Sequence, residues 1–412
     1  MKRLTLAAGV AITLLATPAR AEPACGPVFS RGDITRCASA ASLDVRVEER
    51  EAAVLDGRRR AVSAVLRSNP VLAVSAARRD HALASATNWS ATLSQELEVA
   101  GQRGARVRAA EHESEAQGFR IEVARRDAVA AAWTAYFDVL ARAEEASLMS
   151  RLSTNAAQIA VVARGLADKG VLAPIDADVA DAGHVTAEQA RLDAEAALRR
   201  SELTLASLLG LPDAKATGEL APLQGVELAR AVANLPEARA FAAEAKAQES
   251  AASAYSRARV PNPTLSLFVQ NDGFDERVLG AGLTIPIPLP HPVGRFYDGE
   301  IAEAKAAAGR ATIEAQRAQR EADLALGAAL TSFEAAKSKR NLYTEERVTR
   351  AERDVEALAK ELQAGRLAVR DALLTQQALV TMLRAGVEAR HTLCTASVEL
   401  ARAANLLERG VR

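Results

Sequence analysis

Proline is absent from two long stretches of this chain, between Pro70 and Pro174 and from Pro292 to the C-terminus. Proline breaks helix interiors, so these stretches bound where long helices can run. Elsewhere the prolines crowd together, at Pro212, Pro222, Pro236, Pro261, Pro263 and then Pro286, Pro288, Pro290 and Pro292. Within the first stretch Val129, Trp133, Tyr136 and Leu140 recur at i, i+4, i+7 and i+11, which is one helix face. The spacing predicts helices over about 105–168 and 175–209, and again over about 295–363 and 367–407. The first is expected to be roughly 95 Å long at 1.5 Å per residue. A compact domain has no need of such helices, whereas a coiled coil or a tube of helices does. Composition agrees: aromatics are 3% of residues, and there are three methionines. Small side chains suit helices packed closely along their length. The zero net formal charge lends no support to nucleic-acid binding.

The chain reads as a tandem repeat. Asn69-Pro70-Val71-Leu72 recurs as Asn262-Pro263-Thr264-Leu265, 193 residues later. Gly101 and Gly294 follow the two prolines at equal distance. Gly170-Val171-Leu172-Ala173 with Asp176 recurs as Gly365-Arg366-Leu367-Ala368 with Asp371, at an offset of 195. Alanine-rich helices resemble one another by accident, but these punctuation points do not. The expected organisation is a signal at 1–21, a first repeat at 22–212, an inter-repeat and equatorial segment at 213–260, and a second repeat at 261–412. Each repeat reads as strand, loop, strand, long helix, turn, helix.

Between the landmarks the period changes from 3.6 to 2. From Asn88 to Val99, Trp89, Ala91, Leu93, Gln95, Leu97 and Val99 alternate with Asn88, Ser90, Thr92, Ser94, Glu96 and Glu98. In the second repeat Leu279, Ala281, Leu283, Ile285 and Ile287 alternate with Val278, Gly280, Gly282, Thr284 and Pro286. The expected strands are about 70–77, 88–99, 264–270 and 278–287. The alternation over these lengths suits a membrane β-barrel, with Trp89 and Phe268 in an aromatic girdle, and it also suits a half-buried soluble sheet. Four strands cannot close a barrel in lipid, because an open edge leaves backbone groups unpaired. A barrel reading therefore requires copies of the chain to share one barrel. Three copies supply twelve strands and twelve helices.

The N-terminus carries Lys2 and Arg3, an apolar run from Leu4 to Leu15 and the small-x-small site Ala19-Arg20-Ala21. This is the pattern of a secretory signal, with Glu22 as the first mature residue. No later apolar stretch reaches transmembrane-helix length. In an exported chain Cys25 and Cys37 either form a local disulfide or leave Cys25 to carry lipid, while Cys394 reads as a small packing residue. Glu22-Pro23-Ala24 before Cys25 departs from a lipoprotein signal. His81, His112, His184, His291 and His391 lack metal-ligand spacing, and no nucleophile motif is present. No catalytic residue, metal site or cofactor is expected.

These features together resemble the TolC-like outer-membrane factor family over essentially the whole mature chain. The resemblance rests on the doubled Asn-Pro-x-Leu, the doubled Gly-x-x-x-x-x-Asp and the segment Trp133-Thr134-Ala135-Tyr136-Phe137-Asp138-Val139-Leu140. It implies a mainly α fold with a small β part: a homotrimeric α-barrel reaching into the periplasm below a shared twelve-stranded outer-membrane β-barrel. It also implies a passive efflux duct working with a periplasmic adaptor (a membrane fusion protein) and an inner-membrane RND-type pump. Gln95-Glu96-Leu97-Glu98-Val99-Ala100-Gly101-Gln102-Arg103-Gly104-Ala105-Arg106 is similar to the strand-to-helix junction of the cobalt–zinc–cadmium heavy-metal branch, and Ile285 to Pro290 to its second-repeat junction. Gly101, Arg103, Pro290 and Gly294 are the junction residues so implied. The turns Lys169-Gly170-Val171 and Ala364-Gly365-Arg366 match adaptor-contact tips. Asp371 matches a gate aspartate, with Asp176 as its first-repeat counterpart and Arg366 or Arg370 as pairing partners. A second family aspartate is replaced here by Leu374. An adaptor or a soluble coiled-coil scaffold is the competing reading, but an adaptor would carry one hairpin flanked by β-rich domains.

Overall fold

The computed structural model describes residues 25–26, 28–81, 84–226, 235–271, 276–290 and 292–407. The expected signal at 1–21 and His291 lie outside them. The order of elements is β1 (Val28–Phe29), α1 (Ile34–Ala41), α2 (Leu43–Ser63), β2 (Val71–His81), β3 (Ala84–Glu96), α3 (Gln102–Asp168), α4 (Pro174–Leu208), β4 (Lys215–Ala216), α5 (Pro236–Ala258), β5 (Thr264–Asn271), β6 (Arg277–Thr284), α6 (Asp298–Asn341), α7 (Glu345–Gln363) and α8 (Val369–Ala403). No helix among the described residues is long and apolar enough to cross a membrane.

The 67 residues of α3 make a rod about 100 Å long at 1.5 Å per residue. Alanine is the commonest of its buried residues, ten of 25, so neighbouring helices approach closely along much of it. The large side chains are concentrated at one level, a belt around Trp133, Tyr136 and Phe137, each at most 1% exposed. The Trp133 and Tyr136 rings meet edge to face at 5.7 Å. The belt is closed by residues from the N-terminal segment and from the segment between the repeats. Tyr136 donates its hydroxyl to Thr217 O at 2.7 Å, and Trp133 Nε1 donates to Thr35 Oγ1 at 3.3 Å. A disulfide joins Cys25 to Cys37.

The four main strands form one antiparallel sheet in the order β2-β3-β5-β6. The two repeat hairpins are therefore joined edge to edge through β3 and β5. Register sorts the side chains into rows, because directly opposed residues share a face. Leu72, Leu93, Leu267 and Ala281 form one row, and Val74, Ala91, Val269 and Leu279 another on the same face. The opposite face carries Val71, Ser94, Ser266 and Gly282, and then Ser75, Ser90, Gln270 and Val278. Trp89 lies on the apolar face, opposite Ala76 and Asn271 near one end of the sheet. Phe268 does not join it. Phe268 lies in the register row of Thr92 and Gly280 on the other face, and its ring covers Gly280, where a Cβ would fall 2.4 Å from the ring.

Each strand runs on into a helix: α2 leads into β2, β3 into α3, α5 into β5 and β6 into α6. The helices pack in the same order, α2 on α3, α3 on α5 and α5 on α6. Below the belt α4 and α8 take over, with α8 packed against α3, α4, α6 and α7.

Three expectations change. Residues 295–363 are not one helix, because α6 ends at Asn341 and α7 starts at Glu345. Neither proline nor glycine marks the break; Thr344 turns extended and its hydroxyl accepts from Arg347 N at 3.4 Å, capping a new helix. The segment 213–260 is not solely a connection, since α5 stands before β5 as α2 stands before β2. The strands expected at 88–99 and 278–287 stop at Glu96 and Thr284, and β2 runs on to His81. After Thr284 the prolines at 286 and 288 remove ladder donors.

Candidate functional site

The two glycine turns form one end of the molecule and are built alike. Gly170 and Gly365 both adopt left-handed backbone, with φ of 71° and 69°. Gly170 N donates to Ala167 O and Val171 N to Leu166 O, each at 2.9 Å. Gly365 N and Arg366 N donate to Leu362 O and Glu361 O, each at 3.0 Å. These are paired Schellman closures, which satisfy the last carbonyls of α3 and α7. Leu172 and Leu367 then tuck against a shared apolar cluster that includes Ile159, Leu358, Leu362 and Val369. Nothing lies within 4 Å of a Cβ built on either glycine. Backbone conformation alone demands glycine there, and the tips themselves stand open.

The same closure ends α4 and α8. Gly210 (φ 64°) and Asn405 (φ 54°) place Leu211 N on Ala206 O and Leu406 N on Ala401 O. The offset from Gly210 to Asn405 is again 195 residues. This landmark is hidden in the sequence because one repeat uses glycine and the other asparagine, the side chain that best tolerates left-handed backbone.

Asp176 and Asp371 occupy the first turns of α4 and α8, behind Ala173 and Ala368 as N-caps. Neither helix has a side-chain cap bond. The carboxylates sit where the helix dipole favours negative charge. Asp371 and Arg370 are exposed, and among the described residues neither has an ion-pair partner within the chain. Arg366 lies 3.5 Å from Glu361 of its own turn, not beside Asp176. Arg164 and Asp178, at 3.2 Å, tie α3 to α4 near the tip. Leu374, one turn beyond Asp371, is 57% exposed.

At the other end of the helices the chain changes from strand to helix. Gly101 is left-handed at φ 73° and caps α3, and its carbonyl accepts from Arg257 Nη1 at 3.2 Å. Arg103 closes the C-terminal end of α2, donating to Ser63 O at 2.6 Å and Ala64 O at 3.2 Å. The left-handed residue that opens α6 is Tyr297, at φ 61°, not Gly294. Gly294 answers a different need: a Cβ there would stand 2.6 Å from Leu289 O, inside a turn where Pro290 O accepts from Val293 N and Gly294 N. Sequence reasoning missed the polar knot between the repeats. Gln102, 2% exposed, donates to Asn262 Oδ1 at 2.9 Å, and Asn262 Nδ2 donates to Glu96 Oε1 at 2.6 Å. The repeated asparagine was its one signal. A cavity of about 650 Å³ adjoins this knot.

Residues 49–211 match the family described as outer membrane efflux protein, which is less than half of the chain. No curated protein matches the sequence. Solved structures share the fold. The Campylobacter jejuni CmeC outer membrane channel aligns at TM-score 0.73 and 14% identity, covering 90% of this chain and 85% of that one. The Vibrio cholerae outer membrane protein VceC aligns at 0.70 and 19%, covering 90% and 95%. The open state of the Neisseria gonorrhoeae MtrE outer membrane channel aligns at 0.70 and 16%, covering 92% and 90%.

Proposed function

We propose that three copies of this chain form an outer-membrane efflux duct, with the sheet in the membrane and the helices extending into the periplasm. The observation that carries this reading is the sheet. Over the middle of the sheet one face is apolar, from the Leu72 row through the Val74 row to Trp89, and the other is mainly polar or small, with Val71, Phe268 and Val278 as its larger apolar residues, which is the two-sided pattern of a barrel wall between lipid and water. Its edge strands β2 and β6 run in opposite directions, so β6 of one copy meets β2 of the next in antiparallel register. Closing the ring removes every open edge. The helix layer repeats the strand order and continues the wall as a tube.

The duct performs no chemical step and takes its driving force from a partner. In this reading a periplasmic adaptor meets the tips at Lys169-Gly170-Val171 and Ala364-Gly365-Arg366, and an RND-type inner-membrane pump loads the cargo. The gate lies at the same end. Asp371, exposed and without an ion-pair partner among the described residues, forms a ring of three carboxylates that favours cations. Arg366 or Arg370 of a neighbouring copy pairs with Asp176 to hold the ring closed. The cargo is heavy-metal cations or other toxic small molecules, with the junction at 95–106 supporting the metal class. Export begins from the N-terminal signal.

Cell fractionation and gel mobility test this reading. The chain is expected in the outer-membrane fraction as a heat-dissociable trimer, and its deletion is expected to sensitise cells. Resistance profiles across metals and drugs then separate the cargo classes. A monomer in the soluble fraction would refute the duct and favour a scaffold.

A further inference from the structure

The cavity of about 650 Å³ at the strand-to-helix junction has no part in the gate or the docking tips. Its size suits a drug-sized organic molecule. It spans the helix layer, from Arg58 and Val62 on α2, across α3 and α5, to Tyr297 at the start of α6. On α3 its lining residues Gln102, Arg106, Ala109 and Glu113 recur at i, i+4, i+7 and i+11, a single helix face. Where it meets the sheet it is lined by Glu96 and Thr264. These two are paired two residues beyond Ser94 and Ser266, and so lie on the polar face. In the proposed duct that face borders the lumen.

The lining combines rings, apolar surface and positive charge. Tyr255 and Tyr297 stack with ring centres 6.2 Å apart, and the Arg295 guanidinium lies 5.0 Å from the Tyr297 ring centre. Tyr297 keeps this place in left-handed backbone, which glycine takes freely and tyrosine takes at a cost. Val62, Val260, Pro288 and Leu289 supply apolar surface. Arg58, Arg67, Arg106, Arg259 and Arg295 line the cavity against two carboxylates, Glu96 and Glu113. The partners of Arg106, Arg259 and Arg295 are Glu98, Asp298 and Glu300, none of which lines it. Arg67 is exposed and has no hydrogen-bond or ion-pair partner among the described residues. We propose that this cavity binds a ring-bearing organic anion from the lumen, with its ring against Tyr255 and Tyr297 and its anionic group held by the arginines, Arg67 closing on it. The site holds a molecule against an open lumen and does not filter the stream, which is the part given to the Asp371 ring.

The lumenal placement rests on the duct reading, whereas the binding chemistry does not, and the test separates the two. The full-length chain is isolated from the fraction that holds it, transferred to amphipol if membrane-bound, and titrated calorimetrically with naphthalene-2-sulfonate. One site per chain is expected, binding roughly tenfold or more tightly than 2-naphthylmethylammonium, the same ring with a positive charge. Tyr297→Gly relieves the backbone while removing the ring. It is expected to weaken sulfonate binding about tenfold with circular dichroism and oligomeric state unchanged. Tyr255→Leu repeats the loss from α5 without touching the turn. Arg67→Gln is expected to weaken the sulfonate about threefold and to leave binding of uncharged 2-naphthol unchanged. Equal affinity for the two charged probes, or native affinity in both tyrosine variants, overturns the pocket, while an outer-membrane trimer would still uphold the duct. Sulfonate binding with the same variant losses in a soluble monomer overturns the duct and the lumenal placement, and upholds the anion pocket.

Discussion

Gly365 offers a way to separate the backbone's demands at the tip from those of a docking partner. Its φ of 69° is costly for a side chain with a Cβ, by roughly 1–2 kcal/mol. Apart from the adjoining residues of the chain, no described residue comes within 4 Å of the Cβ site, so no steric clash with a neighbour adds to this. Gly365→Val therefore weakens the closure at the upper end of that range, since branching at Cβ crowds left-handed backbone further. Gly365→Asn should be nearly neutral, because Asn405 already makes the same closure at the end of α8 with φ 54°. One to two kcal/mol corresponds to roughly a 5–30-fold change in an opening equilibrium. Amide hydrogen exchange at Arg366, whose N–H donates to Glu361 O at 3.0 Å, reads that opening directly. Exchange is expected to accelerate within that range in Gly365→Val and hardly at all in Gly365→Asn. Equal exchange in the two variants would refute the backbone argument. Loss of efflux in Gly365→Asn with native exchange would place the defect in partner contact, since the turn would be intact.

Leu267→Arg places a charge on the apolar face midway along β5 and should cost about 2–4 kcal/mol of membrane stability, seen as loss of heat-resistant trimer; Ser266→Arg, on the opposite face, should insert normally. Asp371→Asn should reduce cation preference in planar-bilayer reversal potentials while leaving the trimer intact, and unchanged selectivity would remove Asp371 from the gate. Hydrogen bonds from Arg191 and Ser153 hold the Glu188 carboxyl down at about 2. A depressed carboxylate stabilises above its unfolded value and loses that contribution as pH falls through its folded one. Acid titration between about pH 4.5 and 2 should therefore loosen the α3–α4 seam, with Glu188→Gln showing a flatter pH profile of melting over that window.

Much of the fold was legible because it is set by local periodicity. A helix of period 3.6 and a pleat of period 2 write themselves into Val129, Trp133, Tyr136 and Leu140, and into the alternation from Asn88 onward. The tip glycines were legible because only left-handed backbone makes a Schellman turn, so Gly170 and Gly365 stand out wherever they fall. The break at Leu342–Thr344 was not, since a threonine cap inside a helical pattern is invisible until the backbone turns. Nor was the role of Tyr297, a bulky residue in a backbone region where sequence reasoning looks for glycine.

The sequence by itself determined where the long helical stretches run, the doubling of the unit and the alternation of the strands, because each is written in neighbouring residues. Only the tertiary structure decided that β3 pairs with β5, that the helices inherit the strand order, that Phe268 covers Gly280 on the polar face, and that Cys25 meets Cys37. Each of these joins residues that local pattern leaves unconnected, and which pairing forms depends on where the rest of the chain puts its edges.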